Sequence, residues 1–377
     1  MPNQPYPIVP VAGSARERGR QHGEQARERV ARSIDIYRPA FEAGPKLQWS
    51  TVLERAQGFA QQIEAADPAI LEEMHGIAEG AGFKPEEIVA INCRTEILFG
   101  RNAPAAGAHE CTTIAVGPNA SRDKTTILAK NWDWKAACQE SVIILQARQD
   151  DGPDFVMVVE AGMIGRDGFN EHGIAVAGNL LRSTLDGSRP GVPVPLIRRR
   201  VLNSRRLDDA LGAIMKAERA ASTNYIVAHE SGVIINFEAS PEQVYPIYPD
   251  AGLLTHSNHF TATAALVQAI GCDVGPDSLY RIQRVRDLLE PKIGDITVED
   301  VQNALRDHAG YPRSVCRHAE EARDGTASIA SIVIDLGAKA MHVASGPPCE
   351  HPYQTVGLPG ENVTGVADAR YARAAAD

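Results

Sequence analysis

The sequence contains no long apolar run. A membrane-spanning helix needs roughly 20 consecutive apolar residues, and no stretch of the 377 residues approaches that length. Residues 1–13 are interrupted by prolines and contain no apolar core long enough for a signal peptide. The sequence therefore predicts neither a transmembrane segment nor a secretion signal, and we expect a cytoplasmic protein.

Net positive charge is also absent. The chain has 48 acidic and 38 basic residues, which gives a formal charge of −10 at pH 7. Nucleic acids and anionic membranes both favour proteins with net positive charge, so neither is expected to be the main partner. The six cysteines have no paired spacing, which favours reduced thiols over a disulfide framework.

The pattern of apolar residues changes near residue 110. Residues 14–98 show helical spacing, with helix starts at Asp67-Pro68 and at Pro85. After residue 110, strand-like runs dominate and the helices are grouped, the last of them beginning at Thr297 with Asp300 in a capping-box position. Grouped strands and helices favour a layered α+β fold. We predict a helical N-terminal segment, 1–110, and a catalytic segment, 111–377, within one integrated domain.

A cysteine stands at the point where the pattern changes. Residues 101–108 are mostly small and include a proline, as in an exposed, flexible segment. Cys111 then opens a strand-like run, and a second run, 125–130, follows a turn. A hairpin centred near Arg122 would place Asp133 directly opposite Cys111.

This arrangement suggests self-cleavage followed by catalysis. The Cys111 thiol could attack the carbonyl of Glu110, and water could then open the resulting thioester. The freed α-amine has a pKa of about 8, compared with about 10.4 for a lysine side chain, and could act as the base for the thiol. The alternatives are ordinary ones, because most lone cysteines are small buried hydrophobes and Asp133 could simply bind turn amides.

Five short motifs occur in the same order as in one family of enzymes. They are Cys111-Thr112-Thr113, Asn131-Trp132-Asp133, Glu160-Ala161-Gly162-Met163-Ile164-Gly165, Thr255-His256-Ser257-Asn258-His259 and Tyr311-Pro312-Arg313-Ser314-Val315-Cys316-Arg317. Through them the chain resembles, from Gly13 to Gly346, the isopenicillin N acyltransferase (acyl-coenzyme A:6-aminopenicillanic acid acyltransferase) family of self-cleaving cysteine N-terminal nucleophile hydrolases. The resemblance implies a four-layer αββα sandwich, in which two antiparallel sheets lie between helical layers.

The resemblance also implies roles for five residues besides Cys111. Asn258 would contribute its side-chain amide to the oxyanion hole, although without the resemblance a role in capping or turning the chain would be favoured. Asp133 would hold the α-amine or orient the thiol, and Arg317 would bind a substrate carboxylate or support Asp133. Asn179 would lie near the oxyanion, and Glu238 matches a family acid that we assign to substrate binding.

We predict no metal and no resident cofactor. His256-x-x-His259 has metal-like spacing, but it is not on a helix and lacks a nearby set of acids or cysteines to complete a coordination sphere. Residues 165–173 are glycine-rich but lack the strand–loop–helix order of a phosphate loop, and they predict a hairpin. A coenzyme A thioester would take part only as a co-substrate.

Two departures from the family pattern affect the function. Glu110 precedes the nucleophile where the fungal enzyme has glycine, and the turn between Val116 and Thr125 is longer. We predict an amidohydrolase that cleaves an N-acyl or β-alanyl-type amide of a small acylated amine, because excluding water requires a dedicated site that the sequence does not display. Acyl-coenzyme A-dependent transfer is the alternative, and an inactive, uncleaved binding protein of the same fold is the second alternative. Cleavage would leave the N-terminal fragment bound in an α/β heterodimer.

Overall fold

The computed structural model describes residues 4–100, 111–266, 269–270, 275–320 and 325–361. The first six helices precede the cysteine and the last four follow it. Their bounds are α1 Ala15–Gln25, α2 Arg27–Ala43, α3 Trp49–Ala66, α4 Pro68–Ala81, α5 Pro85–Asn92, α6 Arg94–Leu98, α7 Val194–Leu202, α8 Leu207–Met215, α9 Asp277–Leu289 and α10 Val298–Leu305. No helix in these ranges is long and apolar enough to cross a membrane.

The strands lie almost entirely after the cysteine. Their bounds are β1 Ile8–Gly13, β2 Cys111–Val116, β3 Ile127–Lys135, β4 Val142–Gln149, β5 Phe155–Glu160, β6 Asp167–Asn170, β7 Ile174–Ala177, β8 Thr223–His229, β9 Ile234–Ala239, β10 Val244–Ile247, β11 Leu253–His256, β12 Thr326–Asp335, β13 Ala340–Ala344 and β14 Tyr353–Val356. They form two sheets, ordered β1-β4-β5-β6-β7-β8-β9-β10 and β11-β2-β3-β12-β13-β14. Strands β6 and β7 form the hairpin predicted from the glycine-rich motif.

The two sheets pack face to face and are covered by helices. The larger apolar core joins side chains of both sheets with those of the N-terminal helices, α7 and α8. A second core lies between the six-stranded sheet and helices α9 and α10, with Ile114 and Ala129 facing Val285 and Val301. This order of layers is the predicted αββα sandwich.

Strand β1 corrects two details of the prediction. It belongs to the segment predicted to be helical, and it pairs in parallel with β4, from Ile8 opposite Ile144 to Gly13 opposite Gln149. The eight-stranded sheet is therefore not wholly antiparallel. The strand is short and contains Pro10, which an edge strand tolerates because one side of its backbone has no strand partner. Its pairing depends on a distant strand, which local sequence patterns do not reveal.

The predicted helix starts are confirmed. The Asp67 side chain accepts a hydrogen bond from the backbone N–H of Ile70 at 3.3 Å, immediately ahead of α4. Thr297 and Asp300 form the reciprocal capping box of α10, with bonds of 3.0 and 3.1 Å. Helix α3 was predicted only as part of the helical stretch 14–98, without a start of its own, and strands β10, β11 and β14 were not predicted.

Buried ion pairs connect the N-terminal helices to the part of the chain that follows Cys111. The Arg199 guanidinium on α7 binds both carboxylate oxygens of Glu73 on α4, at 2.8 and 2.6 Å. Arg18 on α1 adds a third bond to Glu73 at 3.1 Å. Helices α1 and α4 approach so closely that a Cβ on Gly19 would lie 2.0 Å from the Glu73 carbonyl oxygen.

Candidate active site

The register of the first hairpin places the thiol and Asp133 on opposite faces of the sheet. Cys111 pairs with Trp132, one residue before the predicted partner Asp133. Successive side chains of a strand alternate between faces, so the thiol points between the two sheets and Asp133 points towards the helical layer. A shift of one residue reverses every side chain of a strand, and the register is set by which apolar faces are buried. The thiol still lies 3.9 Å from the Asp133 backbone oxygen.

The thiol borders a small, cation-lined cavity. Cys111 is 4% exposed, and the cavity measures about 40 Å³. Arg166 reaches it with its guanidinium 3.6 Å from the centroid of the Trp132 ring. Burial lowers the pKa of Arg166 to about 10, with Asp167 opposing that change. The buried Nε of Arg166 has no hydrogen-bond partner among the described residues, and it lies 3.8 Å from Asp167 Oδ2.

Among the charged side chains around the cavity, cations outnumber carboxylates. Arg94 binds Glu160 at 2.6 Å. Asp167 is shared by Lys130 at 2.9 Å, by Arg198 at 3.3 Å and, more distantly, by the Arg166 guanidinium at 3.8 Å. Within this group, four cations thus share two carboxylates. The surroundings of the cavity therefore favour a negatively charged ligand.

The backbone of Cys111 is held from the opposite side, by Asn258 and by an arginine on α9. The Cys111 N–H donates to Asn258 Oδ1 at 2.5 Å. Arg281 donates to the Cys111 carbonyl oxygen at 2.7 Å, to Thr112 Oγ1 at 2.8 Å and to Asn258 Oδ1 at 3.1 Å. Its Nε lies 3.2 Å from Asp277, four residues earlier on the helix. A fully buried guanidinium therefore lies beside the nitrogen that self-cleavage would release.

The two predicted oxyanion asparagines are both fixed by other groups. The Asn258 side chain turns its oxygen towards Cys111, while its Nδ2 donates to the Leu180 carbonyl at 3.0 Å. Asn179 accepts from Thr113 at 2.6 Å and donates to the Ser257 carbonyl at 3.0 Å. Their oxyanion roles stay predictions, and for Asn258 that role requires the amide group to leave Leu180.

Glu238 holds the loop that carries Asn258. Its carboxylate accepts from His256 at 2.9 Å, from the Thr261 N–H and hydroxyl at 2.6 Å each, and from the Ala262 N–H at 3.0 Å. Burial raises the pKa of Glu238, but the bonds from His256 and Thr261 prevail and lower it overall. The carboxylate is thus committed to the loop, and its predicted substrate-binding role gains no support from these contacts.

Asp133 and Arg317 lie on the helical side of the sheet. Asp133 Oδ1 accepts from the Ser328 hydroxyl at 2.6 Å, and its Oδ2 has no hydrogen-bond partner among the described residues. Burial raises the pKa of Asp133 to about 8, although Arg281 and Ser328 oppose the change. The Arg317 guanidinium lies 3.5 Å from the Asp277 carboxylate, and the Arg317 backbone N–H donates to the Ser328 hydroxyl. Asp133 and Arg317 therefore both belong to the charge network around Arg281. The predicted cleavage residue Glu110 lies outside the described residues.

Comparison with known proteins connects this geometry to a family. Residues 120–349 match the family model described as acyl-coenzyme A:6-aminopenicillanic acid acyl-transferase. The chain is also 31% identical, over 336 residues, to the 40 kDa form of acyl-coenzyme A:6-aminopenicillanic-acid-acyltransferase from Emericella nidulans, covering 88% of this chain and 90% of that protein. The chain belongs to the acyl-coenzyme A:6-aminopenicillanic acid acyltransferase family. It is therefore an enzyme, as predicted.

Two solved structures show weaker likenesses. One is a mutant of conjugated bile acid hydrolase from Clostridium perfringens, with a TM-score of 0.47 and 14% identity over 68% of this chain and 94% of that one. The other is penicillin V acylase from Agrobacterium tumefaciens, with a TM-score of 0.44 and 17% identity over 62% of this chain and 83% of that one. Membership of the acyltransferase family rests on the sequence matches.

The sequence analysis of this family member missed Arg281 and Arg166. The sequence does contain an indication of Arg281. It shares the buried stripe of α9 with Val285 and Leu289, four and eight residues later. A charged residue in an apolar stripe indicates a buried partner. Arg166 directly follows a quoted motif, but nothing in its local sequence indicates that it turns towards the thiol.

Proposed function

We propose that the protein is a self-processing cysteine N-terminal nucleophile enzyme that breaks an amide bond of a small acylated amine. The observation that carries the proposal is the placement of Cys111. Its thiol faces a cation-lined cavity, while Asn258 and Arg281 hold its backbone nitrogen and carbonyl from the other side.

The proposed activation is an N-to-S acyl shift. The Cys111 sulfur attacks the carbonyl carbon of Glu110, the C–N bond to Cys111 breaks, and the thiol proton passes to the departing nitrogen. Water then hydrolyses the thioester, which leaves a carboxylate on Glu110 and a free amine and thiol on Cys111. In turnover the amine takes the thiol proton as sulfur attacks the substrate amide, and it returns the proton to the leaving amine.

Arg281 is proposed to keep that amine neutral. Its guanidinium donates to the carbonyl oxygen of Cys111 and to the Asn258 oxygen that accepts from the Cys111 nitrogen. A positive charge so close disfavours the ammonium form and lowers the pKa of the amine. Because a base must be unprotonated to work, this arrangement extends activity to lower pH.

The substrate is proposed to carry a carboxylate. Among the described residues that line the cavity, Arg94, Arg166 and Arg198 are cations and none is an acid. At about 40 Å³, the cavity is far smaller than the roughly 300–1,000 Å³ of sites for drug-sized ligands. A substrate therefore enters only as lining side chains shift, and we expect part of it to lie outside.

The fate of the acyl group separates two candidate functions. We favour hydrolysis, in which water opens the acyl-enzyme thioester. Transfer is the second candidate, because the relative with 31% identity is named as an acyl-coenzyme A-dependent transferase. In transfer, the acyl group passes from a coenzyme A thioester to Cys111 and then to an amine.

Intact mass under denaturing conditions tests the mechanism. The wild type should give two fragments, the larger beginning at Cys111, whereas Cys111→Ala should stay whole and lose essentially all activity. Cys93→Ala is the matched control, since Cys93 is also buried but lies before the cleavage point, and it should be cleaved like the wild type. An uncleaved wild type that still turns over amides contradicts the mechanism.

A panel of acyl donors distinguishes the two candidate functions. N-acyl amino acids and acyl-coenzyme A thioesters would be mixed with the enzyme, and adducts on Cys111 and released products identified by mass spectrometry. Free acid as the main product supports hydrolysis, and N-acylated acceptor amine supports transfer. An uncleaved protein that forms no adduct with any donor supports the inactive binding protein.

A further inference from the structure

Four metal-binding side chains meet far along the chain from the nucleophile. His308 follows α10, Cys316 and His318 lie in the next segment, and Cys349 follows β13. One ligand atom from each residue lies within 4.8 Å of the other three. The family motifs include Cys316, but nothing in the proposed reaction uses these four side chains.

Their spacing matches a tetrahedral zinc site. Zinc–ligand bonds of about 2.3 Å to sulfur and about 2.05 Å to nitrogen give tetrahedral edges of about 3.8 Å between sulfurs, about 3.5 Å from sulfur to nitrogen and about 3.3 Å between nitrogens. The Cys316 and Cys349 sulfurs are 3.5 Å apart. His318 Nε2 lies 3.7 and 3.3 Å from these sulfurs and 3.1 Å from His308 Nε2.

The surroundings of the cluster orient the ligands. His318 presents Nε2 to the cluster, while its other ring nitrogen, Nδ1, lies 3.3 Å from Glu350. Histidine ligands of metals commonly bind a carboxylate through the second nitrogen, which fixes the ring and its tautomer. The backbone is fixed as well, because the Cys316 N–H donates to the Asp307 carbonyl at 3.0 Å and the His318 N–H to the Pro312 carbonyl at 2.9 Å.

We propose that His308, Cys316, His318 and Cys349 bind a structural zinc ion. Two thiolates and two imidazoles form one of the usual ligand sets for tetrahedral zinc, and four protein ligands leave no open position for catalysis. This replaces our expectation of a protein without metal. The spacing His-x7-Cys-x-His, with the last cysteine some thirty residues later, lacks the short paired spacings from which zinc sites are read.

The proposed ion would fix the segment that carries Arg317. That residue lies between two ligands, and its guanidinium is 3.5 Å from Asp277, the partner of Arg281. Zinc would join this segment to the loop after β13 and so hold one side of the charge network. The proposal does not depend on self-cleavage or on the substrate.

Metal analysis and cobalt substitution test the site. Untagged full-length protein, prepared with zinc, should contain about one equivalent by mass spectrometry. After chelation, added Co²⁺ should give the strong visible bands of tetrahedral cobalt and the near-ultraviolet band of a cobalt–thiolate bond. Cys349→Ser and His308→Ala should reduce bound metal to less than about 0.1 equivalent, while His229→Ala and Cys111→Ala should keep both the metal and the bands.

Three results on the wild type and the cysteine variants would overturn the proposal. They are wild-type protein that binds no stoichiometric metal, bands that persist in Cys349→Ser, and bands that disappear in Cys111→Ala, which would place the metal at the nucleophile. A Cys316–Cys349 disulfide in freshly purified protein, seen as a loss of two hydrogens and unaffected by zinc, would likewise show a redox pair instead of a metal site.

Glu350→Gln examines the orienting contact. Losing a carboxylate that holds a ligand histidine typically weakens metal binding about 10–100-fold, and we expect an effect of that size in competition with a chelator. The exposed Glu361→Gln serves as the control and should leave affinity unchanged. Unchanged affinity in Glu350→Gln, together with unchanged metal in His308→Ala, would also contradict the site.

Discussion

The two faces of strand β2 place different groups around Cys111. On the face between the sheets, the thiol borders a cavity with excess positive charge, whose lining includes Arg166 and Arg94. On the opposite face, Arg281 binds the backbone of Cys111 and joins a buried network with Asp277 and Arg317. We infer that one face accommodates the substrate, whereas the other sets the protonation of the nitrogen that acts as base.

The largest expected effect comes from the helical face. Arg281→Gln removes the positive charge beside the proposed α-amine, so the amine keeps its proton to higher pH. We expect slower self-cleavage, and turnover at neutral pH lower by about 10²-fold, the lower end of general-base effects. The acid limb of kcat/KM should move to higher pH, as a pH–rate profile will show.

Arg284→Gln is the control for that variant. Arg284 lies on the same helix but binds Asp307 near the surface, so its loss should leave the acid limb in place. An Arg281→Gln enzyme that is folded and has the wild-type pH profile would show that the helical face does not control the base.

A smaller effect is expected on the cavity face. Arg166→Gln removes a cation that is proposed to bind the substrate carboxylate, and hydrogen bonds to charged groups are worth about 1.5–3 kcal/mol. We expect KM to rise about 10–100-fold for a carboxylate-bearing substrate, with kcat much less changed. The measurement is steady-state kinetics on that substrate and on its uncharged amide analogue.

The amide analogue makes the Arg166 experiment decisive. Its KM should be nearly the same for the wild type and for Arg166→Gln, because it has no negative charge to bind. An equal rise for both substrates would mean that Arg166 supports the cavity wall instead of recognising charge.

The smallest expected effect is that of Asp133 on the pH dependence of the free energy of unfolding. Its pKa of about 8 in the fold exceeds the usual value of about 3.9, so between pH 4 and 8 the folded state keeps a proton that the unfolded chain has lost. The free energy of unfolding should therefore fall as pH rises through this range and level off above it. In Asp133→Asn the fall should be smaller by about 1 kcal/mol or more, as measured by urea unfolding at pH 5 and pH 8.

Asp123→Asn provides the comparison for Asp133. Asp123 is exposed in the turn of the same hairpin, so its replacement should leave the pH dependence of unfolding unchanged. If Asp133→Asn and the wild type lose equal stability between the two pH values, the carboxyl group is already ionised in the fold.

Local patterns in the sequence predicted much of the fold, because they depend on nearby residues. Caps at Asp67 and Thr297 and the hairpin of β6 and β7 are contacts between residues a few positions apart. The side of the sheet on which Asp133 lies depends instead on a register that the packing of two apolar cores decides. For the same reason, the pairing of β1 with β4 could not be predicted.

The family resemblance named several residues of the candidate site in advance. It did not name residues that reach the site only through tertiary contacts. Cys111 and Asn258 do meet, although through the asparagine oxygen and not its amide group. Arg281 is far in sequence from every quoted motif, yet it makes three contacts around Cys111. Its position in the buried stripe of α9 was the only local sign of this role.

Strand β1 and Glu73 have a consequence for the cleaved enzyme. Both lie in the N-terminal fragment that scission would create, yet β1 completes the edge of a sheet in the other fragment and Glu73 neutralises Arg199 there. Withdrawing one partner of a buried ion pair costs about 3–5 kcal/mol, and β4 would also lose β1, one of its two neighbouring strands. We therefore expect scission to be invisible to gel filtration and visible only in denaturant, since the severed pieces remain a single particle.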